Sequence, residues 1–257
     1  MQSSTKRTTS VAKVNILALE TSGVAADVAL LEADENGVQV VASRQLPSRP
    51  RTAQTLAPAI ASLLQQANWQ PADVGLVAVA TGPGSFTGLR LGVTTAKVFA
   101  YATGADVQGV NTLDAVALNA GALIGDIPNV TRICTVMDAQ RNQVFAATYS
   151  ADAMREKDTL EIHFATSIIE ADDWRASLAT GDLAIGPGLI KLLDDNGRMP
   201  GNSGVNIAPV ESWQPTAAAV AELAWRQFSS GKESADVWSL VPQYFRASAA
   251  EEKRATQ

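Results

Sequence analysis

One cysteine, one histidine and a shortage of charge set the first limits on this 257-residue chain. A lone Cys134 cannot build a disulfide framework, which suits a reducing compartment. It sits in an apolar run and reads as a small buried hydrophobe. His163, alone in the alternating stretch "TLEIHFAT", reads as structural. With one residue of each kind the usual zinc sites cannot be assembled. A Ser-His-Asp or Cys-His arrangement has a single imidazole to draw on. No run of about 18 apolar residues occurs, so no membrane-spanning helix is expected.

Charged residues make up 18% of the chain, against about a quarter in typical domains. The shortfall points to extensive burial or to a surface that meets a partner. The net charge is −6 and no basic stripe is visible, so any role on a nucleic acid would be indirect. The opening "MQSSTKRTTSVAK" is polar and basic and has no apolar h-region. Residues 1–12 are therefore expected to form a disordered tail, with an organellar transit segment as the alternative. Residues 247–257 are expected to form a flexible one.

What is present is a repeated pattern. "VNILAL" has the composition of a buried strand, "AADVALLE" returns antiparallel ahead of the Asn36-Gly37 hairpin signal, and "VQVVASRQL" is a third strand. A helix follows over Thr52 to Ala67, with Leu56, Ile60, Leu63 and Leu64 at helical spacing. "VGLVAVA" is a buried strand, and a glycine turn opens a second helix whose stripe is Phe86, Leu89, Val93, Ala96 and Ala100. Gly104 ends it. "VQGV" is a short strand, and Thr112 caps a helix through Leu123.

"RICTVMDAQRNQVFAATYSADA" then repeats the opening: an apolar strand ends in an acid, and a second strand follows a polar turn. The acid is Glu20 in the first copy and Asp138 in the second. "TLEIHFAT" as strand, "DDWRASL" as short helix, "LAIG" as strand and Gly186-Pro187-Gly188 opening a helix continue the echo. "TAAAVAELAWRQFSS" closes it as a helix stopped by Gly231. The pattern predicts a duplicated α/β fold with halves at 13–110 and 111–246 and a cleft between them. Glu20 and Asp138 would face each other across it. This resembles the ground plan of actin-like sugar kinases and Hsp70 proteins.

The glycine turn lies in "TGPGSFTGLRLGVTTAK", residues 81–97. A P-loop needs Lys after its last glycine, and here Leu89 follows Gly88. A dinucleotide fingerprint would be one residue shorter. A phosphate nest at the helix N-terminus stays open. The other reading is packing: Gly88 and Gly92 lie one helical turn apart, each costing about 1 kcal/mol relative to alanine, and leave a strip that another backbone can approach. From Thr52 to Ala72 no residue is charged, and the first helix's outer face carries Gln54, Thr55, Ser62, Gln65 and Gln66. Between Thr81 and Ala105 the charges are Arg90 and Lys97. Solvated helices carry many more. Such a pair marks a protein–protein interface or, alternatively, helices packed inside the domain.

Four stretches, "ILALETS", "GPGSFTGLRLGV", "MDAQRNQVF" and "PQYFR", occur in an order and at spacings that resemble the TsaB (YeaZ) family over roughly residues 14–246. These are accessory subunits in bacterial synthesis of N6-threonylcarbamoyladenosine on tRNA. The resemblance implies an actin-like, ribonuclease H-like fold, a cytoplasmic protein, and no catalytic or metal-binding residues in this chain. The chemistry would lie in a paralogue, TsaD, built around a histidine pair. A TsaE-like ATPase would join the two. ATP and Mg²⁺ would serve the complex, not this chain, and tRNA would be met only through the complex.

The resemblance also implies that the partner surface lies on the first two helices, with a homodimer able to use the same surface. On the first helix this assigns Thr52, Gln54, Thr55, Ala57, Pro58, Ala61 and Gln65. On the second it assigns Phe86, Thr87, Gly88, Arg90, Gly92, Thr95, Ala96 and Phe99. Glu20, Thr21 and Ser22 stand where actin-like kinases place their first phosphate loop, with Gly82, Gly84 and Ser85 beside them and Asp138 at the second. A vestigial or shared nucleotide site is one expectation; an independent ATP/Mg²⁺-dependent small-molecule enzyme is the alternative function. A peptidase-like activity finds no paired histidines. The chain departs from the family pattern at "RPRTAQTLAP", which lacks a His-Ser or His-Thr pair, and at "DAQRNQVF". Both departures bear on partner contacts.

Overall fold

The computed structural model describes residues 13–47, 52–157, 159–231 and 234–246. Both expected tails, residues 1–12 and 247–257, fall outside them. The first half opens with β1 (Val14–Glu20), β2 (Ala26–Asp34) and β3 (Gly37–Leu46), an antiparallel meander in which Glu20 pairs with Asp27. The helix α1 (Thr52–Ala67) leads to β4 (Leu76–Gly82), then α2 (Phe86–Thr103), β5 (Asp106–Asn111) and α3 (Thr112–Gly121). β4 runs parallel to both β1 and β5, giving the sheet order β3-β2-β1-β4-β5. Every residue of β4 is buried, as a parallel strand covered on both faces requires.

The second half repeats the plan. β6 (Arg132–Gln140) and β7 (Gln143–Ser150) are antiparallel, and α4 (Ala151–Lys157) intervenes before β8 (Ile162–Glu170). Next come α5 (Ala171–Ser177), β9 (Leu183–Ile185), β10 (Asn206–Ile207) and α6 (Ala217–Ser229). The order β8-β7-β6-β9-β10 matches the first sheet strand for strand. This is the duplicated actin-like α/β fold.

Two local expectations change. The helix expected after Gly186 is a short 3-10 turn, Pro187–Lys191. The backbone folds back soon after it, where the Asp194 carboxylate accepts from the N–H groups of Asn196 and Arg198. The helix α4 had no counterpart in the sequence reading, because its seven residues carry too short a period to register.

The core explains how the two sheets are held. One face of the first sheet, with Leu17, Leu19, Val77 and Val79, receives Leu56 and Leu63 of α1 and Val93 and Ala96 of α2. Its other face, with Ile16, Ala18, Leu76 and Ala78, receives Val220, Leu223 and Trp225 of α6. Leu113 and Val116 of α3 pack instead with Ile133, Val136 and Tyr149 of the second sheet. α3, just past the expected boundary at residue 110, thus fills the core of the second sheet, and α6, from the end of the second stretch, covers the first.

Candidate functional site

The site grows from the end of β1. From Ile16 that strand is apolar until Glu20, which is 1% exposed. Its carboxylate accepts from the N–H of Ser22 at 2.8 Å. Burial pushes the carboxyl up from the ordinary 4.5 to about 7, with Asp27 opposite adding to the effect. The Ser22 and Gly23 donors pull the other way and lose. Asp27, also raised by burial, accepts from the N–H of Ala217 at the start of α6, 2.8 Å away.

Against this turn lies the glycine segment, and the close approach that the glycines permit is made by the chain itself. A Cβ on Gly84 would stand 2.5 Å from the Ser22 Cβ, one on Gly88 2.0 Å from the Thr21 carbonyl oxygen, and one on Gly92 2.2 Å from Thr21 Oγ1. Ser85 N–H donates to the Ser22 carbonyl at 2.7 Å, and Thr21 Oγ1 donates to the Gly88 carbonyl at 2.8 Å. Ser85 caps α2 by accepting from Gly88 N–H. Glu20, Thr21, Ser22, Gly84 and Ser85 are thus brought together, whereas Gly82 lies against Gln243 and Leu89.

Asp138 holds the matching position in the second half. Its carboxylate pairs with Lys191 and accepts from Gln140 N–H. The Gly186-Pro187-Gly188 turn closes on Val136 and Met137 there, in the same way. Each acid is engaged within its own half. Among the described residues no group of three or more His, Cys, Asp and Glu side chains could hold a metal ion. His163 is exposed on β8, and burial pushes the Cys134 thiol up to about 12, which leaves it inert as a nucleophile.

The outer face of the α1–α2 pair divides the expected partner residues. Gln54, Ala57, Pro58, Ala61 and Gln65 form one exposed stripe on α1, and Thr87 is exposed on α2. Pro58 lacks an N–H and so cannot bond the Gln54 carbonyl. Thr52, Thr55, Thr95 and Phe99 are half-buried. Gly92 and Ala96 require correction. They are buried on the side facing the protein's own core, and the strip read as open to another molecule is filled by Thr21. Gly88 turns the same way.

Phe86 and Arg90 are engaged by the C-terminal segment. The Tyr244 ring lies 4.5 Å from Phe86, the Arg90 guanidinium sits 3.9 Å above Phe86, and Arg90 Nε donates to the Tyr244 hydroxyl at 2.9 Å. Sequence reasoning missed Thr94, Val98 and Tyr101, which continue the exposed stripe of α2, the last two at 63% and 69% exposure. The signal was available as the complement of the buried stripe Leu89, Val93, Ala96 and Ala100.

A protein from Bacillus subtilis named tRNA threonylcarbamoyladenosine biosynthesis protein TsaB is 30% identical over 246 residues, 93% of this chain and 97% of that one. The chain belongs to the TsaB family. An Escherichia coli TsaB is 32% identical over 54% of this chain and 56% of its own length. The family model for TsaD, described as tRNA N6-adenosine threonylcarbamoyltransferase, matches residues 48–185. That span runs from α1 to β9, so the match includes the helix pair. The structure of YeaZ from Pseudomonas aeruginosa superposes with a TM-score of 0.70 at 23% identity, over 90% of this chain and 99% of that one. It shares the fold. Among the described residues of this TsaB-family chain, no helix is long and apolar enough to cross a membrane.

Proposed function

We propose that this chain is a non-catalytic subunit in synthesis of N6-threonylcarbamoyladenosine on tRNA, binding a TsaD-like catalytic subunit and holding it in its active form. The observation that carries this reading is the charge-poor outer face of α1 and α2: Gln54, Ala57, Pro58, Ala61 and Gln65 beside Thr87, Thr94, Val98 and Tyr101, with Arg90 the exposed charge among them. Small and amide side chains let a second helix pair approach closely. Their desolvation is also far cheaper than that of the Lys and Glu residues that usually cover such a face. A TsaE-like ATPase completes the assembly in the cytoplasm. ATP and Mg²⁺ are used by the complex, and tRNA is met only through it. A second copy of this chain competes for the same helices.

Reconstitution tests the role. TsaD-like and TsaE-like proteins are combined with tRNA, threonine, bicarbonate and ATP–Mg²⁺, and the modified nucleoside is measured with and without this chain. Equal product in both would end the proposal. The surface is tested separately. Ala57→Glu and Ala61→Glu place a carboxylate on the exposed stripe of α1, where both side chains are free of the core. Each is expected to weaken the complex tenfold or more, roughly 1.4 kcal/mol, with an unchanged melting temperature. Unaltered co-elution on size exclusion would move the partner elsewhere. Gly92→Arg is unsuitable, since it would collide with Thr21 before it met any partner.

A further inference from the structure

Three stretches that stand out in the sequence, "TGPGSFTGLR", "MDAQRNQVF" and "PQYFR", meet at one place in the fold. The segment from residue 234 to 246 returns to the first half and then crosses to the second. Ala235 N–H donates to the Val107 carbonyl, and Lys97 Nζ donates to the carbonyls of Trp238 and Leu240 at 3.2 and 3.1 Å. The Leu240 side chain is buried in the first half's core. Gln243 N–H donates to the Thr81 carbonyl at 2.7 Å, and its own carbonyl passes so close to Gly82 that a Cβ there would meet it at 2.7 Å. Tyr244 then grips Phe86 and Arg90 at the start of α2.

The next two residues reach the second sheet. The Phe245 ring packs edge-on to Phe145 of β7, with centroids 6.0 Å apart. The Arg246 guanidinium donates to the Ala139 carbonyl at 2.6 Å and to the Gln143 side-chain oxygen. Its target is the β6–β7 turn, where Gln140, Arg141 and Asn142 all take positive φ, at 62°, 54° and 60°. Consecutive left-handed residues with side chains are disfavoured, so such a turn persists only where its surroundings hold it. The holders here include the Asp138 carboxylate on Gln140 N–H, the Ala171 N–H on the Asn142 carbonyl, and Arg246.

We propose that residues 242–246 are a latch between the two halves, with Tyr244 hooked on the start of α2 and Arg246 on the β6–β7 turn. Two residues of chain span at most about 7 Å, so little slack separates the hooks. Displacement of the turn beside Asp138 is passed to the glycine segment and the first turns of α2, and the reverse. The latch belongs to the free chain and does not depend on which partner α2 meets.

Hydrogen exchange on the full-length free protein tests it. The reporters are the amides of Ser85 and Leu89 at the start of α2, bonded to Ser22 and Ser85, and of Gln140 in the turn. Arg246→Ala is expected to speed exchange of Gln140 and, at the far hook, of Ser85 and Leu89, by about fivefold. Tyr244→Ala, at a side chain 43% exposed and so tolerant of truncation, is expected to act in the opposite direction, from α2 to Gln140. The amides of α3 and α6 should keep wild-type rates in both. Acceleration confined to the hook that was removed, in either variant, overturns the latch. Should Arg246→Ala lower the melting temperature enough to blur its pattern, Tyr244→Ala decides alone. Failure here would leave complex formation with a TsaD-like subunit unchanged, and failure of that pairing would leave the exchange result standing.

Discussion

Gly88→Ala is expected to destabilise the protein by about 3 kcal/mol or more, read as a fall in the urea midpoint. Helix propensity alone forecasts the opposite, since alanine for glycine inside a helix gains about 1 kcal/mol. The decisive contact is the 2.0 Å separation between a Cβ at this position and the Thr21 carbonyl oxygen. That oxygen belongs to the backbone of the turn between β1 and β2, so no side-chain rotation relieves the overlap. Either α2 moves off the sheet or the turn is displaced, and in both cases the bond from Thr21 Oγ1 to the Gly88 carbonyl is lost. Gly92→Ala should cost less, because it meets the Thr21 hydroxyl, which can rotate. Gly125→Ala, with nothing within 4 Å, should lie within about 0.5 kcal/mol of wild type. A Gly88→Ala midpoint at or above that of wild type would refute the docking of α2 on this turn.

The sequence disclosed the fold well where hydrophobic period and repetition carry the information. β1 and β6 each run apolar into an acid, and the three-strand meander that follows each is visible as a repeat. α1 spans Thr52–Ala67 as its leucine spacing predicts, and α2 ends at Gly104, which takes the left-handed φ of 77°. Weak periods were lost. The seven residues of α4 and the 3-10 turn after Gly186 lie below the length at which a helical stripe can be told from chance.

The glycines show where sequence reading stops. Gly88 and Gly92 announce that something approaches α2, but the sequence does not say what. The partner is Thr21, far away along the chain and brought near by the parallel pairing of β1 with β4. The same limit applies to "PQYFR". It is recognisable as a motif, yet its two contacts lie on opposite halves and exist only once both sheets have formed. The uncharged character of α1 was legible residue by residue. Which of its residues face outward needed only the helical period, and for α2 the same period separates Thr94, Val98 and Tyr101 from the buried Gly92 and Ala96.

Glu20→Gln is expected to stabilise the protein by about 3 kcal/mol at pH 8 and by less than about 0.5 kcal/mol at pH 4.5. The folded carboxyl titrates at about 7 and the ordinary one at 4.5. Below the lower value both folded and unfolded chains carry the proton, and folding gains nothing from the acid's identity. As pH rises from 4.5 to 7 the unfolded chain releases its proton while the folded chain retains it, so stability falls through that window. Above it both are ionised and the penalty levels off, at about 1.4 kcal/mol for each unit between the two values. Glutamine keeps the oxygen that accepts from Ser22 N–H and carries no charge to desolvate, so the variant should lack this slope. Asp27 is present in both proteins and largely cancels from the difference. Urea midpoints for the pair at several pH values between 4.5 and 8 give the comparison, and parallel curves would show that the Glu20 carboxylate is better solvated than its burial implies. A stabilised Glu20→Gln protein that no longer supported tRNA modification would further show that this buried charge is kept for the complex and not for the fold.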